Sequence, residues 1–255
     1  MKLYSFVLSM IATLTAADTA RSPSETNTNH AIKLDKIPSI TTARTTPTLA
    51  LKKRYTNVIN ISLGNKKQHV GYLTGQGLYD KVYDCLWNTL CPVTGGTSLR
   101  TCKGPTETCT IPGIWYNLRE KQYRNSHLDI KIAGYNLDVD RMYRAAPKLL
   151  IEQIAGTFKV SSEDAKNCYQ PTNGERGKLM CNVGDYVYVS DQLSLAWMNA
   201  TLRFNGETIE GSFDCAAVKQ AALSFLRDKL MDWWKGVLQV GTCNSYIMCA
   251  SNEVT

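Results

Sequence analysis

The 255-residue chain has no cysteine before Cys85, no aromatic residue between positions 18 and 54, and three histidines in all. Each shortage excludes something. Lacking rings and cross-links, residues 18–54 cannot bury enough apolar surface to offset their ordering entropy, and they are expected to be disordered. Threonines at 19, 26, 28, 41, 42, 45, 46 and 48 and prolines at 23, 38 and 47 fill that stretch. No CxxC pair occurs, and only His69 and His127 follow position 54, so zinc would lack ligands. No metal and no cofactor is expected. GxSxG, HExxH, a P-loop and a dinucleotide fingerprint are all missing. The apolar run 6–14 is far shorter than the roughly 18–20 residues that span a bilayer.

That run does suit a cleaved leader. Lys2 precedes it and small residues Thr15, Ala16 and Ala17 follow, so residues 1–17 read as a signal peptide. Residues 18–54 read as a pro-segment ending in Lys52, Lys53 and Arg54, a dibasic site in an extended, accessible strand that a kexin-type protease would cut. Residues 55–255 are then the mature secreted, extracellular domain. Of the 29 Lys/Arg and 22 Asp/Glu, residues 1–54 hold eight and three, so the remainder has a net charge of only +2, against +7 for the whole chain. No basic stripe persists, and no nucleic-acid partner is expected.

All nine cysteines lie in the mature part: Cys85, Cys91, Cys102, Cys109, Cys168, Cys181, Cys215, Cys243 and Cys249. In a secreted chain they read as a disulfide framework. Their spacing suggests a knot among the first four and a second group over 168–249. Nine is odd, so one thiol stays unpaired or forms an intermolecular bridge in a disulfide-linked dimer. Asn60 and Asn199 head N-x-S/T sequons and are candidate glycosylation sites.

Periodicity alternates between classes. Runs 58–63 and 69–73 flank Gly64-Asn65, runs 179–183 and 186–190 flank Gly184-Asp185, and two more flank Asn205-Gly206. All three read as hairpins. Runs 128–132 and 137–140 alternate around Gly134. Helical spacing covers 76–90, a short helix from Pro147 to Gly156, and a long amphipathic helix from about 214 to 240. That last stripe takes in Leu226, Leu230, Trp233 and Val237 and is closed by Gly241. Cys215 and Cys243 would tie its two ends. The expected fold is α+β: one disulfide-rich domain of antiparallel hairpins packed with helices, with a long C-terminal amphipathic helix. Trp233 and Trp234, beside Lys229 and Lys235, are where that helix would meet a membrane or partner, although its mixed charges favour docking on its own sheet.

Chemistry is thinly signalled. His69 and His127 are the only acid–base pair on offer for a hydrolase or nuclease, with Glu120 or Lys121 in support. Asp138 and Asp140 share a strand face that would suit a metal or a sugar. A cysteine nucleophile is disfavoured in an oxidising compartment.

The leader, the threonine-rich pro-segment, Leu51-Lys52-Lys53-Arg54 and the cysteine-rich body together resemble yeast killer-toxin precursors and secreted cysteine-rich fungal effectors. The resemblance is one of layout. It implies a toxin-like or effector-like protein acting on a target-cell surface or membrane. The body lacks an internal Lys-Arg or Arg-Arg pair, so a single mature chain is expected. The alternatives are a secreted hydrolase or nuclease using His69 and His127, and a non-catalytic extracellular or cell-wall binding protein.

Overall fold

The structure, a computed structural model, describes residues 56–92, 108–118, 121–137, 145–171, 177–205, 211–238 and 240–250. The signal peptide, the pro-segment with Lys52, Lys53 and Arg54, and Cys102, Glu120, Asp138, Asp140 and Gly206 lie outside the described residues.

Antiparallel strands β1 (Thr56–Gly64) and β7 (Tyr186–Asp191) are neighbours inside a six-stranded sheet. On one side β7 is followed by β8 (Trp197–Phe204), β4 (Lys121–Asn136) and β3 (Cys109–Leu118), all antiparallel. On the other side β1 pairs in parallel with β9 (Thr242–Ala250), giving the order β3-β4-β8-β7-β1-β9. A smaller sheet has the order β2-β6-β5, from β2 (Lys67–Gly71), β6 (Met180–Gly184) and β5 (Cys168–Tyr169). The fold class is therefore α+β with one mixed and one antiparallel sheet.

Two of the expected hairpins are something else. β1 pairs with β7 while β2 pairs with β6, so Gly64-Asn65 and Gly184-Asp185 are facing bends in one long antiparallel ribbon that passes from the large sheet into the small one. The glycines serve close approach there. A Cβ on Gly184 would stand 2.5 Å from the Gly64 carbonyl oxygen, and one on Gly64 would overlap the Asp185 carboxylate. The segment around Gly134 is likewise one strand, β4, with a register shift between Ile132 and Gly134. Hairpin pairing does occur between β7 and β8, joined through 192–196, and the consecutive strands β3 and β4 also pair antiparallel.

Helices cover one face of the large sheet. Inward residues alternate along each strand: Ile59, Ile61 and Leu63 on β1, Val187 and Val189 on β7, Met198, Ala200 and Leu202 on β8, Leu128 and Ile130 on β4. α2 (Ala146–Glu163) packs against β6, β7 and β8, with buried residues on all sides. It begins with Pro147 in its first turn but runs past Gly156, because the Phe225 ring occupies the space of a side chain there. α1 (Gly75–Leu90) lies beside α2 and buries Leu78, Val82, Cys85, Leu86 and Leu90.

The stretch 215–238 corrects the expected long C-terminal helix. It comprises α3 (Cys215–Phe225), a π-helical turn (Leu226–Leu230) and α4 (Met231–Leu238), and strand β9 follows it. Asp214 caps α3, its carboxylate accepting from the Ala217 N–H at 3.1 Å. The buried residues Val218, Ala222, Leu226, Leu230, Trp234 and Leu238 recur at steps of four. In a regular α-helix each such step overshoots a turn by ~40°, so the stripe would wind away from the core. The wider π-helical turn takes back part of that drift. It also moves the buried position by one residue: Trp234 is inside and Trp233 is 51% exposed, the reverse of the expected stripe.

Disulfides join Cys85 to Cys109, Cys168 to Cys181 and Cys215 to Cys249, and Cys91 is disulfide-bonded as well. Cys215 thus ties α3 to β9 through Cys249, and Cys243 carries a free thiol.

Candidate functional site

The face of the large sheet opposite the helices carries the residues that alternate with the core. On its β8-β7-β1-β9 half these are Trp197 and Asn199, Tyr188 and Ser190, Val58, Asn60 and Ser62, and Asn244, Tyr246 and Met248. None is charged. Tyr246 and Met248 are 57% and 50% exposed, and the rings of Tyr188 and Trp197 lie 6.0 Å apart. The β4 side of the same face is different, carrying His127, Asp129 and Lys131, with Arg203 near the end of β8. The neutral half presents amides, hydroxyls and rings, groups that exchange neutral hydrogen bonds and stack on apolar ring faces.

Both sequons stand on this neutral half. Asn60 pairs with Ser190 of β7, and Asn199 pairs with Tyr188 two residues away on the same strand. Two strand spacings and two residues place them about 12 Å apart. The Asn199 amide oxygen is buried without a hydrogen-bond partner among the described residues.

The two histidines do not share a site. His69 is fully buried in the small sheet, with Nδ1 3.2 Å from Asn182 Oδ1. The Asn182 amide donates to the Ser212 carbonyl, which turns its oxygen towards His69 and sets the proton on Nδ1. Burial, aided by the Lys67 charge and opposed by the Asn182 hydrogen bond, lowers the His69 pKa to about 4. Its ring packs edge-on against Phe204, centroids 5.2 Å apart. Phe204 is the register partner of Leu128, which faces inward, so His127 one residue earlier points to the opposite face of the sheet. There His127 Nε2 lies 3.3 Å from Asp129 Oδ2, and Asp129 also accepts from the Thr110 hydroxyl at 2.7 Å. The sequence could not tell these faces apart, because the strand pairing that separates them is long-range.

The tryptophan pair separates in the same way. Trp234 is core, and Trp233 lies under the Lys148 ammonium, 4.8 Å from its ring centroid. No helix among the described residues is long and apolar enough to cross a membrane. Among the described residues no three metal-ligating side chains cluster. The Cys243 thiol faces inward beside Asn57, and its pKa is pushed up to about 11, chiefly by burial and then by the Asp191 charge.

Two cavities border the sheets. One of about 540 Å³ is lined by Tyr72, Leu73, Thr74, Gly113, Ile114, Lys178 and Leu179. The other, about 400 Å³, sits at the ribbon bend among Lys66, Gln68, Asp185, Thr201, Arg203 and Phe204. Among the described residues that line them, no Ser, Thr or Cys stands beside a His. The open face was missed by sequence reading because it is assembled from alternate residues of the hairpin β7–β8 and of β1 and β9, which lie far from it and from each other in the chain.

No family model, no curated protein and no solved structure matches this chain.

Proposed function

We propose that this is a secreted toxin-like or effector-like protein, matured by cleavage after Arg54, that acts on other cells by binding at their surface. The observation that carries this reading is the uncharged, amide- and ring-bearing half of the open sheet face, with Tyr246 and Met248 exposed on it. Such a surface matches neutral carbohydrate, whose hydroxyls need neutral partners and whose C–H faces stack on aromatic rings. Disulfides fit an oxidising, extracytosolic destination. The separation of His69 from His127 by the sheet speaks against the hydrolase or nuclease alternative. Burial of Trp234 speaks against a membrane-active helix.

The same face also supports the reading of a cell-wall binding protein without toxicity. One experiment separates the readings: secreted protein is incubated with insoluble glucan, mannan and chitin and, in parallel, with growing fungal cells. Retention on polysaccharide with growth inhibition is the expected result. Retention without inhibition leaves the wall-binding reading. Absence of retention on every polysaccharide, or inhibition abolished by both His69→Ala and His127→Ala in folded protein, overturns the proposal.

A further inference from the structure

The two edges of the large sheet are built differently. β3, at one edge, contains Pro112 and Gly113, and its pairing with β4 shifts register between Ile111 and Ile114 and again between Ile114 and Tyr116. Proline and irregular register are the devices by which edges are kept from pairing with other chains. β9, at the other edge, has neither. Its nine residues include no Lys, Arg, Asp, Glu or Pro, and its register with β1 runs unbroken from Thr56↔Thr242 to Gly64↔Ala250. Among the described residues its outer edge meets no further strand. The Cys215–Cys249 disulfide anchors its far end to α3, so the strand is held in place.

We propose that β9 pairs with β9 of a second copy of this chain, antiparallel about Tyr246, making one continuous sheet from two. The strand is suited to itself. Tyr246 is its central residue, so the two-fold axis sets Tyr246 against Tyr246 and Asn244 against Met248 on the open face, an aromatic pair flanked by neutral ones. The charged residues of that face, His127, Asp129, Lys131 and Arg203, lie towards the opposite edge and never approach the seam. The neutral half of each copy adjoins β9, so pairing merges two neutral halves into one surface of double width. Cys243 faces inward with its thiol half-buried, and the pairing needs no covalent link.

The functional consequence rests on the open face being the binding surface, whereas the dimer itself does not. Two linked faces engage a repeating polymer with an effective-concentration advantage of about 10²-fold or more.

The test is light scattering on the eluting secreted protein over a hundredfold range of concentration, with and without reductant. Twice the monomer mass is expected, unchanged by reductant and by Cys243→Ser. Tyr246→Lys sets like charges opposite each other and is expected to weaken association about tenfold or more, while its far-ultraviolet circular dichroism stays that of the wild type because the residue is exposed in the single chain. Mixing Tyr246→Lys with Tyr246→Glu is expected to restore a mixed dimer. A monomer at every concentration, a dimer indifferent to Tyr246→Lys, or one lost with Cys243→Ser overturns the proposal. So does a monomeric protein whose β9 pairs instead with a strand of a target protein. Wild-type protein diluted until it is monomeric that still adheres to polysaccharide, but about 10²-fold more weakly than the dimer, keeps both readings. A wild-type dimer that adheres to none removes the functional reading alone.

Discussion

The Lys148 ammonium stands 4.8 Å from the Trp233 ring centroid, bridging α2 to α4 over the surface, while the next residue, Trp234, is wholly enclosed. Two adjacent residues of one type therefore have very different worth. Trp234→Ala is expected to cost about 3–5 kcal/mol through lost burial and the cavity left behind. Trp233→Ala is expected to cost no more than about 1 kcal/mol, the size of an exposed cation–π contact. Chemical denaturation of both variants checks this, and equal losses would contradict the one-residue shift made by the π-helical turn.

His69 gives the fold an acid sensitivity. Its pKa is lowered to about 4 from the ordinary 6.5 by burial, so between those values the unfolded chain takes up a proton that the folded chain refuses. Stability is full above pH ~6.5 and falls as pH drops, with a loss of roughly 3 kcal/mol by pH 4. Urea midpoints measured from pH 7.5 to 4.5 should show this slope, and His69→Gln should flatten it. An unchanged slope in the variant would assign the sensitivity to other groups.

Gly156 lies in the middle of α2, where alanine would ordinarily gain about 1 kcal/mol of helix propensity. Here a methyl group would overlap the Phe225 ring, so Gly156→Ala is expected to destabilise by about 1–3 kcal/mol. In a double-mutant cycle Phe225→Leu should recover part of that loss. A stabilised Gly156→Ala would mean that α2 and α3 do not meet at this point.

The Cys243 thiol, pushed up to about 11 and half-buried, is almost wholly protonated at neutral pH, and the thiolate is the reactive form. Iodoacetamide at pH 7.5 is therefore expected to label the native protein slowly. Denaturant without reductant should speed labelling, with Cys243 as the modified residue in peptide mass spectra. Rapid labelling of the native state would place this thiol at the surface.

N-glycans on Asn60 and Asn199 would stand over the neutral half of the open face. Endoglycosidase treatment is expected to lower the intact mass and to strengthen retention on polysaccharide. Retention that falls after trimming would assign the binding to the glycans themselves.

Local elements were legible where one residue type decides them. The spacing of Leu78, Val82 and Leu86 marks α1, Pro147 marks the start of α2 and Asp214 the start of α3. Partnership between strands was not legible. Gly64-Asn65 and Gly184-Asp185 have the composition of tight turns, yet each answers to the backbone facing it rather than to its own flanking strands. β9 gave no signal because an edge strand is half-exposed on one face and open on the other, so apolar alternation is weak. The π-helical turn hides for a related reason: stripes at steps of three and of four both read as helix, and only packing decides which tryptophan turns inward. The open face suffered most, since no residue on it is chemically conspicuous alone.

The parallel pairing of β1 with β9 joins Thr56 to Thr242, 186 positions apart, through their hydroxyls. The first described strand thus waits for the last. A ribosome must synthesise the chain through Ala250 before the large sheet can be completed, and until then β1 has an exposed flank. Contacts of such long sequence separation slow folding and prolong exposure to aggregation. Completion of the large sheet is therefore expected to follow synthesis of β9, and a chain truncated before Thr242 is expected to aggregate, as read by its loss from the soluble fraction on expression.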